Sequence, residues 1–275
     1  MSMKKKRRFP LISLLLVAAG AALLLYPTVS DCWNAMVQTR AIASYQERVS
    51  DLDEASYADL LEAASLYNAA LQDDAARFHP DAQEHAQYTQ LLDVSSTGIM
   101  GYLEIPCIDM TSPIYHGTSD GVLQIAVGHL EGSSLPVGGK STHCVLSGHR
   151  GLPSARLFSD LDKMREGDVF MIHVLEETLV YEVDQIATVS PDDLTALQIE
   201  EGEDLCTLLT CTPYAVNSHR LLVRGHRVDS MPALSEQPQL RVIGQSSRLL
   251  LSAALNTALV IGAVLFMRKK GKRDR

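Results

Sequence analysis

The sequence predicts a mainly β protein: a closed or partly open β-barrel with short helices, preceded by N-terminal helices and flanked by two transmembrane helices. Three observations support this fold class. After Gly98 the chain becomes a series of seven or more short apolar runs of β type, separated by Gly and Pro. Between Asn34 and about Gln72 it is rich in Ala, Glu, Leu and Gln, with apolar residues at helical spacing. A long apolar stretch also lies near each end of the 275 residues.

The first apolar stretch follows a basic tail, residues 1–8, and occupies residues 9–29. At about 1.5 Å per residue it is long enough to cross roughly 30 Å of hydrocarbon. A cleaved signal peptide shares the basic start. However, this run exceeds the usual hydrophobic region, and no clear small-residue cleavage site precedes Asp31. We therefore expect an uncleaved transmembrane helix.

The second apolar stretch, residues 248–267, ends at another basic tail, residues 268–275. Because basic residues lie beyond both spans, we expect both termini in the cytoplasm of a cell-membrane protein and the intervening domain outside the cell. The two tails hold eleven of the 24 basic residues but only one of the 33 acidic residues. The domain between the spans is therefore strongly acidic, which argues against nucleic acid as a partner because the phosphates would be repelled.

Between the spans, the sequence predicts a helical stalk with a candidate lid loop over 30–97, a barrel over 98–228 and a polar linker over 229–247. Within the first of these, residues 73–90 are polar, irregular and interrupted by Pro80, which predicts a loop.

Five cysteines occur in the chain, and Cys32 lies at the membrane boundary. The other four, Cys107, Cys144, Cys206 and Cys211, could pair in three ways. Their irregular spacing, with no CxxC pair, argues against a disulfide scaffold or a zinc site. At least one thiol is therefore available for chemistry.

Cys211 ends an apolar run that is followed by a polar turn, Thr212 to Ser218, and by Arg220. If the run and its return form an antiparallel pair, Cys211 and Arg220 are neighbours. Arg224 would lie about 13 Å further along the return strand. Position thus favours Arg220 as the partner of the thiol and makes Arg224 a rim or ion-pairing residue. The alternative for Cys211 is a small buried hydrophobe within a strand.

A cysteine nucleophile needs a group that helps to form its thiolate and later protonates a leaving amine, and histidine is the usual choice. His149 follows a predicted strand and a Ser-Gly break in CVLSGHRG, so it is delivered at a strand end, as Cys211 is. His129, in VGHLEG, has a similar setting. The pattern alone leaves both histidines as candidates.

Several ordered blocks between Ile99 and Val228 closely resemble the sortases: GYLEIPCIDMTSPIYHG, LSGHRGLPSARLFSDLDKM, and TLLTC followed by TPYAVNSHRLLVRG. The resemblance is to class C, the pilus-assembling branch of these membrane-anchored cysteine transpeptidases of Gram-positive cell walls. It implies a closed sortase-type barrel of about eight strands. It also implies that Cys211 is the nucleophile, His149 the general acid/base and Arg220 the oxyanion-stabilising or substrate-orienting residue.

The resemblance further implies cleavage of an LPxTG-like sorting signal between Thr and Gly, with a thioacyl-enzyme on Cys211 that a pilin lysine amine resolves. Pilins or surface proteins with such signals are then the partners, and this chemistry needs no metal or organic cofactor. Three alternatives remain: a sortase that anchors proteins to cell-wall peptide, a non-catalytic membrane-tethered pilus-scaffold module, and a papain-like protease. The protease is disfavoured because its expected Cys-to-His order is reversed here.

The sequence departs from the class C pattern before the barrel. Class C sortases commonly carry a lid with an Asp-Pro-aromatic triplet over the active cysteine, whereas this loop reads DDAARFHPD. By analogy, Phe78 would plug the cleft, and Asp73 or Asp74 would contact Arg220. A solvated linker is the alternative.

Overall fold

The computed structural model describes residues 9–72, 74–152 and 155–229. Four α-helices occur in these residues: α1 (Phe9–Ser50), α2 (Glu54–Leu71), α3 (Ala82–Tyr88) and α4 (Asp120–Leu123). Short 3-10 helices occupy Pro106–Ile108, Leu157–Lys163 and Thr195–Leu197. A compact unit, Asn34–Leu234, contains the C-terminal part of α1 and all later described elements, and the residues through Trp33 belong to a second unit.

Helix α1 contains the predicted N-terminal span. Within the described residues, Leu15–Ser50 is the single helix that is long and apolar enough to cross a membrane. Four of its leucines are exposed, among them Leu16 at 69% and Leu23 at 76%, and such a surface is stable in hydrocarbon rather than in water. The helix therefore fits a membrane anchor. The predicted second span 248–267, the tails 1–8 and 268–275, and the linker beyond residue 229 lie outside the described residues.

Eight strands follow the helices: β1 (Ile99–Ile105), β2 (Met110–His116), β3 (Val127–His129), β4 (Thr142–Ser147), β5 (Val169–Val174), β6 (Glu177–Val189), β7 (Asp204–Thr212) and β8 (His219–Val228). They close into a barrel in the order β1-β2-β3-β4-β7-β8-β6-β5. The predicted mainly β fold and its closed barrel are confirmed. The two pairs β2–β3 and β4–β7 are parallel, and the other pairs are antiparallel.

The barrel interior contains alternate residues of each strand, as a pleated strand requires. On β4 and β7 these are Cys144, Leu146, Cys206 and Leu208, all buried in the main apolar cluster. The intervening residues of β7 face the other side, which is where Cys211 lies. The same two strands therefore contribute to the core on one face and to the site on the other.

The predicted helical stalk packs on the barrel through buried polar contacts. The Tyr45 hydroxyl of α1 donates to the carbonyl of Met100 at 2.9 Å and accepts from the amide of Leu175 at 2.7 Å. Asn68 of α2 hydrogen-bonds both backbone groups of Leu135, donating at 3.2 Å and accepting at 2.6 Å. These buried groups satisfy one another, so they fix both helices against the strands.

The predicted loop over 73–90 is partly wrong, because α3 lies within it. Asp81 caps this helix by accepting from the amides of Gln83 and Glu84, and the Glu84 carboxylate accepts from the Asp81 amide. This reciprocal capping box stabilises α3, a helix that was not predicted because its residues are mostly polar. The Asp-x-x-Glu spacing after Pro80 was the available signal.

Candidate active site

Cys211 and Arg220 are directly opposite each other on β7 and β8, which confirms their predicted adjacency. Both side chains are partly exposed. A turn over residues 213–218 joins the two strands, so the hairpin itself positions the two groups.

His149 reaches the same place by parallel pairing. β4 and β7 are in register up to Ser147 and Leu209, so two more residues on each strand bring His149 level with Cys211. The connection continues past the strand end. The Gly148 amide donates to the Leu209 carbonyl at 3.1 Å, and the Thr210 hydroxyl donates to the Gly148 carbonyl at 2.7 Å.

One cleft of about 350 Å³ is lined by Cys211, His149 and Arg220 together. Apolar side chains form most of its remaining wall: Leu123, Leu130, Val189, Leu194, Leu197, Leu209 and Leu222. Asp193 also lines the cleft. The arrangement provides a thiol, an acid/base group and a fixed cation beside an apolar groove.

His129 occupies a different environment. It is fully buried, its Nε2 donates to the Ser134 carbonyl at 2.8 Å, and its Nδ1 accepts from the Tyr88 hydroxyl at 2.9 Å. Both ring nitrogens are therefore engaged in fixing the barrel wall. Geometry separates the two histidine candidates: His149 lines the cleft, and His129 is structural.

Arg224 is an ion-pairing residue, as its position on β8 predicted. Its guanidinium contacts the Asp184 carboxylate at 3.0 Å and the Glu200 carboxylate at 2.7 Å. Arg220 instead donates through Nη1 to the carbonyls of Asn217 and His219, at 3.3 and 3.2 Å. Among the described residues it has no carboxylate partner, so its charge is available to a ligand in the cleft.

Arg150, which the sequence pattern did not reveal, links the two sides of the site. Its Nη1 donates to the Thr212 hydroxyl at 3.3 Å, and its Nη2 pairs with Asp162 at 2.6 Å. The guanidinium carbon lies 6.0 Å from the centre of the Tyr214 ring. Because Arg150 follows His149 and Thr212 follows Cys211, the parallel register that aligns the first pair also brings the second pair together.

The candidate lid does not use Asp74 for the predicted contact to Arg220. Asp74 accepts from the Ala76 amide at 2.7 Å and forms no ion pair with Arg220, while Asp73 lies outside the described residues. The short side chain of Asp74 is used in a local turn instead. Phe78 packs on a cluster that includes Leu197 and Leu222 of the cleft wall.

Arg77 holds this segment in place. Its buried guanidinium donates to the carbonyls of Gly132 and Leu197, at 3.2 and 2.9 Å, and lies 4.4 Å from the centre of the Phe78 ring. The basic residue before Phe78 carried no sequence signal, because its acceptors are backbone carbonyls 55 and 120 residues away.

All five cysteines are free thiols, and the described residues contain no group of three or more His, Cys, Asp or Glu side chains suited to a metal ion. The cleft itself presents a thiol, an imidazole and a guanidinium from Cys211, His149 and Arg220. This is the arrangement of a cysteine enzyme that transfers acyl groups.

Comparison with known proteins agrees with that class. A family model described as the sortase domain matches residues 103–228. The crystal structure of sortase C1 from Streptococcus agalactiae is 55% identical, with a TM-score of 0.68 over 70% of this chain and 99% of that one. Sortase C from Streptococcus pneumoniae is 47% identical, with a TM-score of 0.63 over 70% and 98% of the two chains. Sortase A of Bacillus anthracis is 24% identical over 226 residues, which cover 82% of this chain and 97% of that protein.

The chain belongs to the sortase family, whose members are cysteine transpeptidases, and its solved neighbours are class C sortases.

Proposed function

We propose that this sortase cleaves an LPxTG-like sorting signal between Thr and Gly and transfers the acyl group to a lysine amine of a pilin subunit. The observation that carries the proposal is the alignment of β4, β7 and β8, which brings His149, Cys211 and Arg220 to one cleft. The roles assigned to these three residues are part of the proposal.

In the acylation step, the Cys211 thiolate attacks the Thr carbonyl carbon. The developing oxyanion receives hydrogen bonds from Arg220, which has no carboxylate partner among the described residues to neutralise it. A positioned donor of this kind typically contributes about 3 kcal/mol to transition-state stabilisation. His149 protonates the Gly amine as the peptide bond breaks, leaving a thioester on Cys211.

In the second step, an acceptor amine attacks the thioester and passes its proton to His149, and the Cys211 thiolate is regenerated. A pilin lysine is the proposed acceptor because the structural neighbours are class C sortases, and the Streptococcus pneumoniae enzyme among them is described in terms of its pilin substrate specificity. The apolar cleft wall suits the Leu-Pro part of a sorting signal.

We also propose that residues 74–81 act as a lid. Phe78 would cover the apolar wall next to Cys211, and Arg77 would fasten the segment to Gly132 and Leu197. The sequence did not suggest this fastening, and Asp74 does not make the contact to Arg220 that the sequence did suggest. The lid must loosen before a peptide can occupy the groove that Phe78 now contacts.

The proposed membrane topology has two spans, the one in α1 and the one over 248–267, with both termini in the cytoplasm. The stalk over 30–97 and the barrel over 98–228 would lie outside the cell, followed by the linker 229–247. The exposed leucines of α1 support the first span. The basic tails support the orientation.

The test uses the full chain purified in detergent, an LPxTG peptide and two acceptors, a pilin-derived lysine peptide and a cell-wall stem peptide with a free amine. We expect a thioester adduct on Cys211 and a crosslink to the lysine peptide, both detected by mass spectrometry. Cys211→Ala should abolish both products, whereas Cys107→Ala, which changes another exposed thiol, should retain them.

Each outcome separates the alternatives. Preferred transfer to the stem peptide would identify a wall-anchoring sortase and reject pilin polymerisation. Hydrolysis without transfer would indicate a protease. Absence of any adduct on a folded chain would support a non-catalytic scaffold, and turnover by Cys211→Ala would remove this cysteine as the nucleophile.

A further inference from the structure

Two thiols that the proposed reaction does not use lie on the same strand pair as the site but face the barrel interior. Cys144 of β4 and Cys206 of β7 are register partners. Both are buried, with 3% and 0% of their surfaces exposed. The two cysteines are 62 positions apart in the sequence, so they become neighbours only when β4 and β7 align. The sequence alone therefore did not predict their pairing.

The distance between the strands permits a covalent bond. Neighbouring strands lie about 4.8 Å apart, and disulfides join residues whose Cα atoms are roughly 4.4–6.8 Å apart. The two side chains are on the same face of the strand pair, and both lie in the buried core.

We propose that Cys144 and Cys206 form an intramolecular disulfide when the barrel folds outside the cytoplasm, and that this bond staples β4 to β7. The inference depends on the proposed membrane topology for an oxidising environment, but not on the acyl-transfer reaction. Since both sulfurs are inaccessible in the closed barrel, the bond forms before the barrel closes.

The oxidant is a disulfide, either an oxidised dithiol oxidoreductase or oxidised glutathione. The thiolate of either cysteine attacks one oxidant sulfur and displaces the other as a thiolate, giving a mixed disulfide. The second cysteine then attacks the protein sulfur of that mixed disulfide and releases the second oxidant thiol. Two electrons pass to the oxidant, and the two protons lost by the cysteines are recovered on its two thiols.

The proposed disulfide would fix the register between β4 and β7, on which the site depends, and it would not involve Cys211. β4 and β7 deliver His149 and Cys211, respectively. Cys206 and Cys211 are five positions apart on opposite faces of β7, or about 16 Å along the strand. The bond therefore leaves the Cys211 thiol free in the cleft.

The test begins with the full chain expressed in membranes. Cells are acid-quenched, and the protein is denatured with N-ethylmaleimide and digested without reductant. We expect mass spectrometry to find the Cys144 and Cys206 peptides joined, while Cys211 carries the maleimide. The purified chain should melt roughly 10 °C lower in detergent when it has been unfolded, reduced and refolded with reductant, because the bond closes a loop of about sixty residues in the unfolded chain.

Cys144→Val and Cys206→Val are the matched variants, since each removes one sulfur and keeps an apolar side chain of similar size. Both should melt at the same temperature with and without reductant, whereas Cys107→Ala should keep the wild-type difference. Maleimide on both Cys144 and Cys206, in cells and again after refolding with oxidised glutathione, would overturn the proposal. This readout is independent of whether Cys211 captures a sorting peptide, so the two proposals fail separately.

Discussion

At the scale of single residues, the two arginines of β8 show how position on one strand separates two roles. Arg220 is opposite Cys211 and has no carboxylate partner among the described residues, whereas Arg224 contacts Asp184 and Glu200. The first can present its fork of donors to a ligand. The second holds β8 to β6 and to the loop before β7.

Arg220→Lys should therefore lower kcat by about tenfold to a hundredfold, even though the charge is kept, because an ammonium group cannot reproduce the fixed donor geometry of a guanidinium. Arg224→Lys should change kcat by less than about threefold and should mainly lower the melting temperature. Peptide cleavage kinetics and thermal unfolding of both variants provide the measurement. Equal losses of kcat at the two positions would contradict the assignment.

Arg150 is a positioning residue whose effect should be transmitted through its neighbours. Arg150→Gln should reduce peptide cleavage by about tenfold, because it loses the bridge between Asp162 and Thr212. It should also alter the pH profile of Cys211 alkylation by changing the placement of His149. Arg156→Gln, which removes an exposed arginine paired with Asp160, serves as control. A lower melting temperature with an unchanged alkylation profile would show that Arg150 acts only on stability.

At the scale of elements, the candidate lid has an anchor that the sequence did not predict. Arg77 binds backbone carbonyls of two loops, and one of them, at Leu197, belongs to the cleft wall. Movement of the lid is thereby linked to that wall.

Phe78→Ala should accelerate alkylation of Cys211 and cleavage of a sorting peptide. If the lid is closed in about 99% of molecules, full release would raise the observed rates by up to about a hundredfold. Arg77→Lys should act in the same direction, since it keeps the charge but loses part of the hydrogen-bonded fork. His79→Ala, at an exposed neighbouring position, is the matched control. Changes below about twofold for both lid variants would identify the segment as a passive linker.

Some contacts between elements could be predicted from the sequence and others could not, for physical reasons. Strands β7 and β8 are joined by a short turn, so local sequence was enough to place Arg220 beside Cys211. The contact between Arg150 and Thr212, and the pairing of Cys144 with Cys206, depend on a parallel alignment of strands separated by β5 and β6. Such long-range register leaves no local spacing pattern. The two candidate histidines had the same limitation: His129 and His149 had similar flanking sequences, and they were separated only once the structure placed His129 in the barrel wall and His149 in the cleft.

At the scale of the whole molecule, a buried histidine couples the stability of the barrel to pH. His143 donates from Nδ1 to the Gln198 carbonyl at 2.7 Å and accepts at Nε2 from the Thr207 hydroxyl at 2.8 Å, so the folded protein holds it neutral. Burial, with smaller contributions from the charges of Arg224 and Arg77, lowers its pKa from 6.5 to about 4. Burial also lowers the pKa of His116.

The sign of the effect follows from proton binding. Between pH 6.5 and 4 the unfolded chain protonates His143 and the folded chain does not, so acid favours unfolding in this range. The stabilisation is complete above about pH 6.5 and is lost as the pH falls toward 4. A change of this size corresponds to about 3 kcal/mol, or roughly 10 °C in melting temperature.

We therefore expect the full chain in detergent to melt markedly lower at about pH 4.5 than at about pH 7.5. His143→Gln should flatten this dependence, because an amide can keep hydrogen bonds to Gln198 and Thr207 without titrating. His219→Gln, at an exposed position, should leave it unchanged. Thermal unfolding across the pH range measures all three proteins. The His143 variant could instead lose stability with acid as steeply as the wild type and the His219 variant. In that case other groups would cause the acid sensitivity, and the neutral buried imidazole of His143 would not couple the stability of the barrel to pH.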